Sequence, residues 1–497
     1  MTLKLNVVAN YASQIYVTAV GIAVVPLYIK HMGSETYGLI GFFAMLQAWF
    51  ALLDLGLGPT IARESARFKG GAIGVLEYRR LVRSLEGVFL IVALAGGTLL
   101  FILADVISSK WLNSNQLPKG DVAQAIQLMA VIIALRWMCG LYRGVISGSE
   151  QLVRLSILNV IFATLRFILI LPILISFSAS SFVFFTYQLA VAVIEAMLIT
   201  FYAYRLLPEL SADHKIKWEW APLKPLMKFS LSIAFTSTVW VIVTQADKLV
   251  LSKILSLSDY GFFTVAVLVA SGISILSGPI SAAIMPRMAR LQAEGQYEQL
   301  LLVYRKATQV VMMIVVPATV TLALFSEQVL WAWTGDNILV EKSAPVLKLY
   351  AIGYGIMAAA AFPYYLQYSK GDLKLHLIGN LLFLIFLIPS AIWSSLSFGA
   401  VGAGWAWLLS NLAYFLFWPP LVHKKFAPKL HLNWLFNDVF KYVFVGLFVM
   451  FPFSIFVKDE LSLDRFRLSF QLACMIVVLL LSSVGVFKLF GKYRVKI

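Results

Sequence analysis

The sequence predicts an all-α polytopic membrane protein. Two observations carry that reading. The 497 residues are 61% hydrophobic with a mean hydropathy of +0.86, and only 13% are charged, far below the usual share of a soluble chain. The apolar residues also fall in continuous blocks of about 20, the length of a helix crossing a bilayer. A transmembrane β-barrel would alternate apolar and polar residues instead.

Fourteen spans are expected, centred on 6–29, 37–62, 84–107, 122–146, 153–176, 182–205, 227–253, 260–285, 306–327, 345–368, 373–395, 400–422, 438–457 and 466–489. With the N-terminus inside, 28 of the 40 Lys and Arg fall on the cytoplasmic side and nine on the other, leaving Arg136, Arg166 and Lys248 within spans. That asymmetry follows the positive-inside rule and predicts both termini in the cytoplasm. The net charge of +16 is therefore topological and implies no nucleic-acid partner. The two cysteines, Cys139 and Cys474, both lie in apolar runs and imply neither a disulfide framework nor a metal site. The first apolar run has no small-residue cleavage site and reads as an uncleaved span. No loop exceeds about 25 residues, below the size of a domain, and no nucleotide-binding GxxxxGK[ST] occurs.

An offset of 223 residues aligns PLYIKHMGSETYG (26–38) with LVLSKILSLSDYG (249–261). Lys30 meets Lys253, Tyr37 meets Tyr260, and Gly38 meets Gly261. The offset spans six helices, so orientation is kept and the repeat is parallel, as in secondary transporters with substrate at the repeat interface. The expected organisation is a six-helix half at 1–206, a cytoplasmic linker at 207–226, a second half at 227–425 and an extra helix pair at 426–497. Tyr260 and Gly261 open a helix after a short turn, Tyr suiting the membrane interface and Gly a tight backbone.

Charged residues lie deep inside spans. At 1.5 Å per residue, Asp247 is roughly 9 Å from the outer end of its span, and Arg136 roughly 10 Å and Asp54 roughly 13 Å from the cytoplasmic face. Glu195 is about 15 Å deep and Arg166 about 18 Å. Asp54 is thus expected at the level of Arg136, and Glu195 at that of Arg166, each level offering an ion pair. Such pairs can lock helices together, or they can line a polar cavity. In the second case Arg136, Arg166 and Lys248 suit a diphosphate, which guanidinium binds bidentately. Asp54, Glu195 and Asp247 suit H⁺ or Na⁺ coupling. Asn10, Gln14 and Gln245 suit sugar hydrogen bonds, and Trp49, Trp137 and Trp240 offer either stacking faces or packing. Gly56, Gly58 and Pro59 predict a kink ahead of Arg63, with further breakers at Gly278, Pro279, Pro317 and Pro363.

Two stretches resemble a known family. LLDLGLGPTIAR (52–63) and ADKLVLSKILSLSDYGFFTVA (246–266) are similar to the second-helix end and the seventh–eighth helix hairpin of polysaccharide flippases, of the O-antigen type, in the multidrug/oligosaccharidyl-lipid/polysaccharide exporter superfamily. The residues matching the motif are Asp54, Gly56, Arg63, Asp247, Lys248, Tyr260 and Gly261. The resemblance implies a carrier in the bacterial inner membrane, not an enzyme, moving an undecaprenyl-diphosphate-linked oligosaccharide across the bilayer by alternating access. It implies no metal and no cofactor beyond a coupling ion. The expected partners are membrane lipid, the lipid-linked glycan and a polysaccharide polymerase. Three alternatives stand beside it. A cation-coupled multidrug exporter would have an acidic, aromatic lumen. A lipid II flippase would carry arginines on its first two helices, and the first span here has none. A membrane-embedded glycosyltransferase, polymerase or ligase would carry catalytic residues on its outer loops. The longest of these, 108–121 and 328–344, hold only Asp121, Asp336 and Glu341.

Overall fold

A computed structural model describes residues 3–176, 178–209, 216, 218–456 and 464–490. The expected cytoplasmic ends therefore lie partly outside the described residues, as do 210–215 and 217 of the linker and 457–463 of the last helix pair. The chain is helical almost throughout, and no strand is found among the described residues. Among the described residues, eleven helices are long and apolar enough to cross a membrane. One of them, Lys374–Phe426, has 53 residues, roughly 80 Å at 1.5 Å per residue, more than two hydrocarbon thicknesses. It turns back at Gly399, whose φ of 59° and ψ of −140° are not helical. Two further helices, Leu3–Ala23 and Lys224–Ile254, are 21 and 31 residues long.

The chain divides into two compact units, Met1–Gly261 and Phe262–Ile497. The division falls at the end of the Tyr-Gly motif, so Lys224–Ile254 belongs to the first unit.

In the first unit, the helix Lys119–Gly148 is the hub. It packs on Ser181–Leu206, Val75–Ile102 and Leu57–Lys69. Gly144 and Gly148, four apart, let Leu57–Lys69 approach: a Cβ on Gly148 would lie 2.1 Å from the Ala62 carbonyl oxygen. Small residues at that spacing are how membrane helices bring backbones together.

The expected span at 37–62 is not continuous. The helix Val25–Phe50 bends at Gly33 and runs into a 3-10 turn, Ala51–Asp54. The chain then breaks at Leu55 and Gly56, both left-handed, with φ of 47° and 74°. A new helix starts at Leu57 with Pro59 in its first turn, where a missing N–H costs nothing. The kink expected from Gly56, Gly58 and Pro59 is thus a break. Its strained residue is Leu55, because a non-glycine with positive φ is uncommon.

Tyr260 faces the protein interior. It is fully buried, and Tyr37, its partner in the 223-residue alignment, is 5% exposed. The neighbouring glycines serve close contact. A Cβ on Gly38 would lie 2.0 Å from the Leu257 oxygen, and one on Gly261 2.6 Å from the Ser34 oxygen. Residues 34 and 257 are themselves 223 apart, so the two contacts are reciprocal.

In the second unit, the C-terminal helices Lys441–Phe456 and Arg465–Phe490 pack on Tyr297–Leu324. An ion pair ties the π-helical turn Leu435–Phe440, just ahead of Lys441–Phe456, to Tyr297–Leu324. Arg305 Nε lies 2.6 Å from Asp438 Oδ2 and Nη2 3.1 Å from Oδ1, and Gln309 donates to Oδ1 at 2.6 Å. Apolar side chains such as Phe448 and Phe466 remain largely exposed, as lipid-facing residues must.

Candidate functional site

The site is assembled around Glu195, which is 1% exposed on the helix Ser181–Leu206. Three guanidiniums converge on its carboxylate. Arg166 bonds Oε2, Arg143 Nη2 reaches Oε1 at 2.6 Å, and Arg136 Nε stands 4.0 Å from Oε2. The formal balance is three positive charges to one negative.

Each arginine is set by its own element. Arg136 and Arg143 are seven residues apart on Lys119–Gly148, close to two helical turns, so they share a face. Arg136 Nη2 donates to Gln188 at 2.8 Å and Nη1 to Gln47 at 3.4 Å. Arg143 also bonds Asn159. Arg166 lies in a π-helical turn, Thr164–Ile168, a feature that frequently marks functional sites. Side chains satisfy the carbonyls around this turn: Tyr187 donates to Leu165 O at 2.8 Å, Gln188 to Arg166 O at 2.9 Å, and Tyr28 to Phe167 O at 2.8 Å. The turn is therefore braced, and Arg166 is aimed from a fixed backbone.

Beside this cluster lies a cavity of about 430 Å³. Asp54, Leu55, Gly56 and Gly58 of the helix break form one wall, and Arg136 and Trp137 another. Ser237, Thr238 and Val241 of Lys224–Ile254 contribute a third. Trp137 stacks on Phe89 with centroids 4.4 Å apart. Its Nε1 is buried without a hydrogen-bond partner, as is Arg136 Nε. Leaving a buried donor unmade costs about 1–3 kcal/mol, so native structures seldom do it without reason.

The expected pairing of Glu195 with Arg166 is present. That of Asp54 with Arg136 is replaced. Asp54 instead accepts the Gly58 N–H, at 3.0 Å to Oδ1 and 3.2 Å to Oδ2. The cause is the break at Leu55, which opens a helix N-terminus that a carboxylate caps well. Arg136 turns to Glu195 and the two glutamines, although it and Asp54 still share the cavity wall.

Lys248 does not join that wall, nor do Asn10, Gln14, Gln245, Trp49 and Trp240. Lys248 Nζ donates to the Thr244 carbonyl at 2.5 Å, and Asp247 Oδ1 accepts the Lys248 N–H at 2.7 Å. Gln14 and Trp240 are exposed. Arg63 stands in the middle of Leu57–Lys69, 3.5 Å from the buried Glu64. Sequence reasoning missed Arg143, which it counted as a cytoplasmic charge, together with Gln47, Gln188 and Asn159. The seven-residue spacing from Arg136 is the signal that finds Arg143. No group of three or more His, Cys, Asp or Glu able to hold a metal is found among the described residues.

Comparisons place these features in a family. The family model described as "Polysaccharide biosynthesis protein" matches residues 33–339, well over half the chain. The "Putative O-antigen transporter" of Shigella flexneri is 21% identical over 421 residues, covering 82% of this chain and 94% of that one. Among solved structures, the lipid II flippase MurJ in an inward closed conformation superposes with a TM-score of 0.76 at 13% identity, over 97% of this chain and 98% of its own. An inward-facing multidrug resistance MATE transporter gives 0.64 at 16% identity, over 84% and 96%. At such identities the structures speak for the fold alone.

Proposed function

Because the chain belongs to the polysaccharide biosynthesis protein family, we propose that its cargo is an undecaprenyl-diphosphate-linked oligosaccharide. The chain is a polysaccharide flippase of the multidrug/oligosaccharidyl-lipid/polysaccharide exporter superfamily and a multi-pass protein of the bacterial inner membrane. Its cargo would be an O-antigen unit or another surface polysaccharide repeat. The glycan headgroup crosses by alternating access while the polyprenyl tail stays in lipid, and no bond is made or broken.

The observation that carries this reading is the surplus of positive charge at Glu195. Three guanidiniums share one carboxylate, and membrane helices admit such charge only for a purpose. A diphosphate diester brings two negative charges and the planar acceptor geometry that arginine matches. An exporter of organic cations has no use for that surplus. The first helix, Leu3–Ala23, carries no arginine, which argues for a cargo other than lipid II.

The finer architecture is part of the proposal. The eleven spans, the turn at Gly399 and the helices Leu3–Ala23 and Lys224–Ile254 together support fourteen crossings with both ends inside. The reciprocal contacts of Gly38 with Leu257 and Gly261 with Ser34 support a parallel repeat. Glu195, Asp54 and Asp247 are the candidate carriers of a coupling H⁺ or Na⁺, and a polysaccharide polymerase is the expected partner downstream.

The test is a strain lacking the protein, with lipid extracts read by mass spectrometry. Complete, unpolymerised polyprenyl-diphosphate-linked units should accumulate, and their sugars identify the cargo. No accumulation, with new sensitivity to cationic dyes, would move the assignment to a drug exporter.

A further inference from the structure

We propose that the cavity at the broken helix is a sugar site, which holds the pyranose attached directly to the diphosphate. This rests on the diphosphate reading above and states where the glycan begins.

Covalent continuity is the first argument. In a glycosyl diphosphate the anomeric oxygen is bonded to phosphorus, so the first sugar must lie against whatever holds the phosphates. Arg136 meets that condition. Its Nε stands 4.0 Å from Glu195 within the arginine cluster, its Nη1 donates to Gln47, and both Arg136 and Gln47 line the cavity. One guanidinium thus borders both spaces.

The second argument is the chemistry of the wall. A pyranose has apolar C–H faces and a rim of hydroxyls that donate and accept. The cavity offers the aromatic rings of Phe50 and Trp137, the amide of Gln47, the carboxylate of Asp54 and the hydroxyls of Ser237 and Thr238. Gly58 holds Asp54 in place through both carboxylate oxygens, and a carboxylate has about four acceptor directions in all. A polyprenyl tail would find this wall too polar, and a cation would meet Arg136.

The third argument is size. The volume of about 430 Å³ lies within the range of small-ligand sites.

The experiment uses the full chain, purified in lipid nanodiscs, and two probes: undecaprenyl diphosphate, and the same lipid carrying one hexose. Ser237→Ala removes one hydroxyl from the cavity wall. Thr238→Val removes another from the same helix and stands in should the first variant fold poorly. Each should weaken binding of the hexose-bearing lipid about tenfold, the worth of one good hydrogen bond, and leave undecaprenyl diphosphate within about twofold. Arg166→Ala should weaken both lipids. If the cavity variants bind both lipids as the parent does, or lose both equally, the sugar site is wrong while the diphosphate reading stands. If the parent protein binds neither lipid, both readings fall together.

Discussion

Two buried carboxylates in this molecule keep opposite company. Asp438, in the second unit, is fully buried and meets one arginine through two bonds, with Gln309 donating a third and Lys441 close by. Glu195, in the first unit, is almost as buried but serves three arginines. Both groups involve a π-helical turn, Leu435–Phe440 at Asp438 and Thr164–Ile168 at Arg166. Burial, helix type and residue chemistry therefore do not separate them. The surroundings do. Asp438 meets one arginine by hydrogen bonds, with Lys441 close by, and ties a turn to a helix as a fastener. Glu195 meets three arginines beside a cavity, which on the proposed reading is a receptor.

The sharpest way to break this comparison is Asp438→Asn. Removing one partner of a buried pair costs about 3–5 kcal/mol, so the melting temperature in detergent should fall steeply. Transport per folded molecule should not change. A loss of transport with stability intact would make Asp438 more than a fastener.

Arg143→Ala should act mainly on transport. Charge-assisted hydrogen bonds contribute about 1.5–3 kcal/mol, so transport should drop roughly 10- to 100-fold. Arg166 would still hold Glu195 Oε2 while Oε1 loses its partner, so stability should fall by about 1–3 kcal/mol, less than for Asp438→Asn. Complementation of a deletion strain, scored by surface polysaccharide and by protein abundance, separates the two quantities. A collapse in abundance would make Glu195 and Asp438 the same kind of group.

Lys248→Ala sharpens the boundary of the receptor. Its ammonium bonds a backbone carbonyl one turn back and lies outside the cavity wall. Transport should fall by less than with Arg143→Ala, under about tenfold. A larger loss would extend the receptor to this helix.

The smallest effect belongs to an exposed pair. Lys425 Nζ lies 2.6 Å from Asp372 Oδ2 and holds the Asp372 carboxyl below its usual range, with help from the Lys374 N–H. A depressed carboxyl favours the fold above its unfolded pKa, and that contribution is lost as pH falls through the folded one. Lys425→Ala should raise the Asp372 titration point in NMR spectra and leave the melting temperature unchanged, as for most surface pairs.

Much of the receptor was legible in the sequence. Glu195 and Arg166 could be matched in depth because both lie in helices of nearly constant rise, and counting residues from a charged end measures distance. The same count failed for Asp54. It assumed an unbroken helix, and the break at Leu55 gave the carboxylate a backbone partner instead. Arg143 was hidden by its closeness to the cytoplasmic end, where positive charge is expected anyway. The π-turn under Arg166 leaves no mark in an apolar sequence, because it depends on the tyrosines and glutamine that catch the neighbouring carbonyls. Tyr260 reads as an interface residue by type. Only the packing of the Tyr-Gly corner puts it inside.

The surplus at Glu195 is also an electrical element. The cluster carries two unbalanced charges, or one when Asp54 is counted. A transmembrane potential of 100 mV is worth about 2.3 kcal/mol for each charge moved through the whole field. On the proposed reading a diphosphate in the site would cancel that charge, so the loaded protein would be nearly blind to voltage while the empty one would feel it. The inside-negative potential of a living cell would then pull the vacant site back toward the cytoplasm. The membrane potential would act on the return of the carrier rather than on the passage of its cargo. Collapsing it in vesicles should slow repeated turnover and leave a single loading event untouched.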